Sequence, residues 1–254
     1  MKRLDSKVAV ITGGAGDIGK AAGRRFLAEG ASVMLVDLDA VALAAVCKEL
    51  DSDKVRYLAA DVTLAADNRA MIAEATRCFG GVDIFLANAG IEGTVAPIAT
   101  CDEAVFDQVI NVNVKGPFLG LKAAIPALIA RGGGSIVISS SVAGMRGSAN
   151  VAPYSTSKHA VIGLMKSAAK ELAAHNIRVN TVNPAPVETR MMRSLEEGLA
   201  PGSADQVKAA MVANIPLGRY ATPDEIANVM LFLVSDEAAF VTGSVYMVDG
   251  GMLA

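Results

Sequence analysis

The chain has 254 residues, 52% of them hydrophobic, and a formal net charge of −3. That size and apolar content suit one large domain with a well-buried core. A mildly negative chain with no basic cluster excludes a nucleic-acid-binding footprint. Three cysteines stand far apart without a CxxC pair, and the two histidines have no clustered partners. Reduced, at least half-buried thiols and no metal site are therefore expected.

In chain order, apolar runs of strand length alternate with longer segments of helical period. Residues 7–12 (KVAVIT) read as a strand and 18–30 as a helix closed by Gly30. A second strand covers 32–37 and a helix 40–50, then a strand covers 54–61 and a helix 64–79. The fourth strand spans 82–90 and ends in a turn. Residues 102–130 make one or two helices, with Pro117 and Pro126 as starts or kinks. A fifth strand at 134–141 precedes a long helix at 154–174, and a sixth strand follows at 177–184. A helix at 223–235, with Pro in its first turn, and a short strand at 243–251 close the chain.

The strands are continuous and rich in Val and Ile, the pattern of strands buried on both faces. The expected fold class is α/β: a single doubly wound parallel sheet with right-handed crossovers and about seven strands, covering 1–254. Ligands in such sheets sit beyond the carboxyl ends of the strands. The N-terminal MKRLDSK has no apolar stretch of the secretory kind. No apolar run reaches the roughly 18 residues of a membrane span without a polar interruption. A soluble cytoplasmic protein with no membrane partner is expected.

The loop ITGGAGDIGK (11–20) admits two readings. Gly14-x-x-x-x-Gly19-Lys20 approaches a triphosphate P-loop, but Ala21 stands where that loop needs a hydroxyl for magnesium. A dinucleotide turn needs a tight bend, close backbone approach to a pyrophosphate and a helix N-terminus aimed at it. Gly13, Gly14, Gly16 and Gly19 supply that room, with Ile18 between. Asp17 is awkward beside a pyrophosphate. Its expected escape is to cap the following helix and point away from the phosphates. Asp37 ends the second strand, where a carboxylate accepts hydrogen bonds from adenosine ribose hydroxyls and repels a 2′-phosphate. Neither Gly16 nor Leu38 offers a positive charge, so NAD(H) is the expected cofactor.

Tyr154 and Lys158 are four residues apart at a helix start, on one face. Together with TGGAGDIG, LVD, ADV, NAG, NVNVKG, SSSVAG, YSTSK, NPAPVET and TGSVYMVDGG, in that order along the chain, they make the sequence resemble the short-chain dehydrogenase/reductase family over essentially its whole length. The resemblance implies a Rossmann fold and a catalytic set of Asn113, Ser141, Tyr154 and Lys158. In it, Tyr154 is the acid/base, Ser141 positions the substrate, Lys158 also grips the nicotinamide ribose, and Asn113 holds a relay water. It implies cofactor contacts at Gly13, Gly16, Asp17, Ile18, Gly19, Asp37 and Leu38 in the first half. Further contacts are implied at Asp61 and Val62 for the adenine, Asn88, Ala89 and Gly90 in the supporting turn, and Pro184, Val187 and Thr189 near the nicotinamide. Three positions depart from the family pattern: Asp17 for glycine, Ala87 for the first asparagine of NNAG, and Ala185 for the glycine of NPG.

Oxidising an alcohol removes a proton from oxygen and a hydride from carbon, and nicotinamide takes the hydride. A free phenol, with a pKa of about 10, is a poor base at neutral pH. Lys158, read as a permanent positive charge one turn away, is expected to favour the phenolate. The expected activity is hydride transfer between NAD(H) and a small secondary alcohol or ketone, cyclic ones included. The alternatives are an NADPH-dependent 3-oxoacyl thioester reductase and a non-enzymatic dinucleotide-sensing module. Residues 190–215, with a Pro-Gly break, read as a mobile helical lid over the substrate. The long helices and the apolar tail resemble family segments that build homotetramers.

Overall fold

In a computed structural model, residues 2–254 are described, and seven strands form one parallel sheet in the order β3-β2-β1-β4-β5-β6-β7. The strands are β1 (Val8–Thr12), β2 (Ser32–Asp37), β3 (Val55–Ala59), β4 (Ile84–Ala87), β5 (Gly134–Ser139), β6 (Ile177–Pro184) and β7 (Val245–Val248). The helices are α1 (Asp17–Ala28), α2 (Ala40–Leu50), α3 (Ala65–Phe79), α4 (Glu103–Ile110), α5 (Gly116–Ala130), α6 (Ala152–Leu172), α7 (Arg190–Leu199), α8 (Ala204–Val212) and α9 (Pro223–Val234).

Along the inner strands side chains alternate between two cores, which is why the sequence shows no polar alternation there, whereas the edge strand β3 leaves Arg56, Tyr57 and Ala59 exposed, against the expectation of burial on both faces. Ile11, Leu35 and Leu86 face a core closed by Phe26 of α1 and Met230 and Leu231 of α9. Val10, Met34 and Phe85 face the opposite core, with Met71 of α3, Leu121 and Leu128 of α5, and Met165 of α6. Helices therefore cover both faces, and the site can only open at the strand ends.

The region 102–130 is one continuous helical stretch. Asn111–Lys115, between α4 and α5, is carried through as a π turn. Glu103–Ala130 is long and apolar enough, by length and composition, to cross a membrane. Its Gly120, Leu121, Ala124 and Leu128 are buried, however, with Leu121, Ala124 and Leu128 in the core against the sheet. Pro126 lies inside the helix and Pro117 in the first turn of α5. The segment expected as a lid holds α7 and α8 with the Pro-Gly break between them. Met252 and Leu253 of the apolar tail pack on the cluster of Val142, Ala185, Ile215 and Tyr220 of their own chain. All three cysteines are free and half-buried.

Candidate active site

Strand order reverses between β1 and β4, and the gap at their carboxyl ends is where a doubly wound sheet takes its ligand. Two loops are stitched across it. The Thr12 hydroxyl accepts hydrogen bonds from the Asn88 and Ala89 N–H groups at 3.0 and 3.1 Å. The Asn88 amide donates to the Thr12 carbonyl at 3.1 Å and accepts from Ser139 Oγ at 3.0 Å. Gly13 has a φ of +67°, and a Cβ there would press on Ala89 at 2.9 Å. At Gly19 a Cβ would overlap the Gly13 carbonyl. The loop can turn this tightly only with glycine at both positions.

Beyond that loop lies a cavity of about 440 Å³, lined by Gly13, Gly16, Asp17, Ile18, Asp37, Asn88, Ala89, Gly90, Glu92 and the start of α7. No side chain caps the α1 N-terminus, so its N–H groups are left to a ligand. Asp37 stands at the end of β2, accepting from Ala15 N–H at 3.1 Å and Leu38 N–H at 2.8 Å. An open cradle of glycines, an uncapped helix start and a carboxylate at the far end fit a dinucleotide. Asp61 and Val62 follow β3 beside this edge, with Asp61 accepting from Thr63 N–H at 2.8 Å, but they do not line the cavity. Leu38, Gly19 and Pro184 also lie outside its lining.

Asp17 does not do what the sequence argument asked of it. Its carboxylate caps no N–H of α1; it accepts the Arg190 N–H of α7 at 2.9 Å. The carboxylate reaches this distant donor because the start of α7 lies against the glycine loop, a contact that no local pattern reveals.

A second cavity, of about 460 Å³, is lined by Ser141, Tyr154, Val142, Val187, Met191, Met192, Leu195, Met211 and Met252, among others. Ile18, Thr189 and Met191 line both cavities, so the two meet there. Ser141 and Tyr154 line the second cavity and not the first. Ser141 Oγ accepts from Ala143 N–H at 3.1 Å and donates at a marginal 3.5 Å to the Pro184 carbonyl, a weak bond that leaves its proton able to turn toward Tyr154 or a ligand. Ala185 and Val187 are buried in the wall of this cavity.

Lys158 is 5% exposed, and its Nζ donates to the Ser139 carbonyl at 2.9 Å while lying 5.4 Å from the centre of the Tyr154 ring. Gly90 makes room for it: a Cβ there would sit 3.5 Å from Nζ and 3.3 Å from Asn113 Oδ1. Asn113, within the π turn, accepts from Ile91 N–H at 2.8 Å and donates to the Ile91 carbonyl at 2.8 Å and Ser157 Oγ at 3.0 Å. Both N–H donors of its side-chain amide, and one acceptor site, are spent in holding the loop after Gly90 against α6.

Protonation differs from the sequence argument in two ways. Burial pushes the Tyr154 phenol above its ordinary range; a hydrogen bond from Ser141 pulls it down and the Glu92 charge adds to the rise. Burial also brings Lys158 down to about 8, so it is not a permanent cation. Spacing alone registers the attraction between the two groups and omits the desolvation that both suffer inside the fold. The consequence is a phenol that holds its proton at neutral pH, beside an ammonium that is charged at pH 7 and largely neutral by pH 9.

Residues 13–253 match a family model described as "Enoyl-(Acyl carrier protein) reductase". The chain is 39% identical to the 3-oxoacyl-[acyl-carrier-protein] reductase FabG of Thermotoga maritima, over 99% of both chains. It is 36% identical to the levodione reductase of Leifsonia aquatica, over 99% of this chain and 96% of that one. A crystal structure of levodione reductase superposes with a TM-score of 0.95 at 36% identity, covering 98% of each chain. A crystal structure of NAD+-bound xylitol dehydrogenase superposes with a TM-score of 0.93 at 32% identity, covering 98% of this chain and all of that one.

Proposed function

The chain belongs to the short-chain dehydrogenase/reductase family, and from that premise we propose that it transfers a hydride between NAD(H) and a small secondary alcohol or its ketone, cyclic substrates included. The observation that carries this reading is the meeting of two cavities at Ile18, Thr189 and Met191, with Ser141 and Tyr154 on the substrate side. When bound, the dinucleotide supplies or takes up the hydride and, oxidised, brings a positive charge. Tyr154 gives its phenolic proton to the ketone oxygen in reduction and recovers it from the alcohol in oxidation. Ser141 Oγ donates to the same oxygen as charge develops on it. Lys158 holds positive charge near the phenol and is within reach of a ribose. Because the Asn113 side chain is engaged with Ile91 and Ser157, any relay water falls to its backbone.

NAD(H) is favoured over NADP(H) by the Asp37 carboxylate, which is held on the cavity wall by Ala15 and Leu38. The substrate wall is mostly apolar, with Met and Leu side chains from α7 and α8 on one side, and Arg146 is its one charged lining residue among those described. That chemistry suits a compact apolar ring or chain around the carbinol. A 3-oxoacyl thioester reductase is the second reading, favoured by the 39% identity to FabG. The deciding experiment is calorimetry with NAD(H) and NADP(H), followed by turnover of cyclic alcohols, sugars, hydroxy acids and acyl thioesters by wild type and Tyr154→Phe. Preference for NADPH, or activity confined to thioesters, overturns the first reading. Full turnover by Tyr154→Phe overturns the acid–base role.

We also infer a homotetramer of two-fold symmetry. Supporting it are Phe106 of α4 and Phe118 and Ile129 of α5, large apolar side chains left at 41%, 51% and 40% exposure on one long helical stretch. A monomer in light scattering at micromolar concentration refutes it.

A further inference from the structure

Asp17 and α7 are joined across 173 residues of sequence by one hydrogen bond, from Arg190 N–H to Asp17 Oδ2 at 2.9 Å. Arg190 is the first residue of α7, so its N–H has no partner within its own helix. Thr189 Oγ1 takes the next available donor, Met192 N–H, at 3.2 Å. The α7 N-terminus is thus capped from two sides: by its own N-cap, and by a carboxylate carried on the glycine loop. The negative charge of Asp17 also lies at the positive end of the α7 dipole. Arg190 Nη2 adds a marginal 3.5 Å bond to the Ala15 carbonyl.

Asp17, Thr189 and Met191 all line the dinucleotide cavity, and α7 continues as a wall of the substrate cavity through Met192, Leu195 and Leu199. We propose that Asp17 is a positioning residue that latches the lid helix α7 onto the glycine loop, so that one carboxylate sets the lid over both cavities. This rests on the reading that the glycine-lined cavity holds a dinucleotide. The latch has a cost: the same carboxylate stands beside the helix start that receives the pyrophosphate, and like charges repel. Its removal should therefore loosen α7, while dinucleotide affinity reflects both the repulsion relieved and the α7 wall lost.

The test is hydrogen exchange of peptides spanning 190–199 in the full-length protein, read beside NADH binding by fluorescence. Asp17→Ala is expected to speed exchange in 190–199 about tenfold or more. Asp17→Asn keeps an amide oxygen as acceptor and is expected to exchange at close to the wild-type rate. Arg190→Pro deletes the donor from the other side; proline is favoured at a first helical position, and the extended Thr189 (φ −141°, ψ 160°) accepts a following proline. It should match Asp17→Ala, and the double variant should be no faster than either single one, since both remove the same bond. Arg190→Ala, which keeps the N–H, should exchange like wild type. Exchange in Asp17→Ala or Arg190→Pro within twofold of wild type overturns the latch. So do additive effects, or an Asp17→Asn variant as fast as Asp17→Ala. Absence of NADH binding in the wild type would instead overturn the cofactor reading, while the exchange results would still judge the bond itself.

Discussion

Lys158 offers a direct test of how much the fold spends to keep a cation in its active site. Its ordinary value of 10.5 is brought down to about 8 by burial. At about 1.36 kcal/mol per unit, that shift is ~3 kcal/mol. The unfolded chain binds a proton at this residue up to pH 10.5 and the folded chain only to about 8, so unfolding takes up a proton between these values. Stability should therefore rise with pH across that window, and below pH 8 the full penalty of holding the ammonium buried is present. Lys158→Met removes the titration. It also orphans the Ser139 carbonyl, which Lys158 Nζ meets at 2.9 Å, but that loss is nearly independent of pH. The measurement is denaturant unfolding of both proteins without cofactor, at matched concentration, from pH 6.5 to 10.5. The stability of wild type minus that of Lys158→Met should climb by ~3 kcal/mol over the range, most of it above pH 8. A flat difference curve would mean that Lys158 titrates at its ordinary value and that its burial carries no electrostatic penalty.

In turnover, ketone reduction by wild type should fall above about pH 8 as Lys158 loses its charge, and alcohol oxidation should rise with pH as the burial-raised Tyr154 phenol ionises; initial-rate profiles in both directions check this, and coincident profiles would contradict it. Ser141→Ala should lower kcat about 10²-fold with little change in dinucleotide affinity, because its hydroxyl is needed at the developing charge on the substrate oxygen. Asp37→Asn should raise NADP affinity about ten- to a hundredfold, the value of one unit charge near a phosphate at an effective dielectric of about 20, while one acceptor for the glycine loop remains; calorimetry gives the answer. Phe118→Lys should shift light scattering toward smaller species without altering dinucleotide binding, and an unchanged mass would place the subunit contact elsewhere.

Much of this molecule is legible along the chain. Apolar runs such as VAVIT and SVMLVD must be buried on both faces, and between helical segments that leaves a doubly wound parallel sheet. Glycines 13 and 19 announce a turn that only glycine can make, and the four-residue spacing of Tyr154 and Lys158 places them on one helical face. These features come from local geometry, and local geometry is written in residue type and spacing. What sequence could not reach depends on segments far apart in the chain coming together. The Asp17 carboxylate caps α7 rather than its own helix because the start of α7 lies against the glycine loop. The Asn113 amide is consumed by Ile91 and Ser157 because the π turn packs against α6. Lys158 is brought down and the half-buried Tyr154 pushed up because their charged forms lose water inside the fold, and desolvation is set by everything packed around a group rather than by its neighbours in sequence.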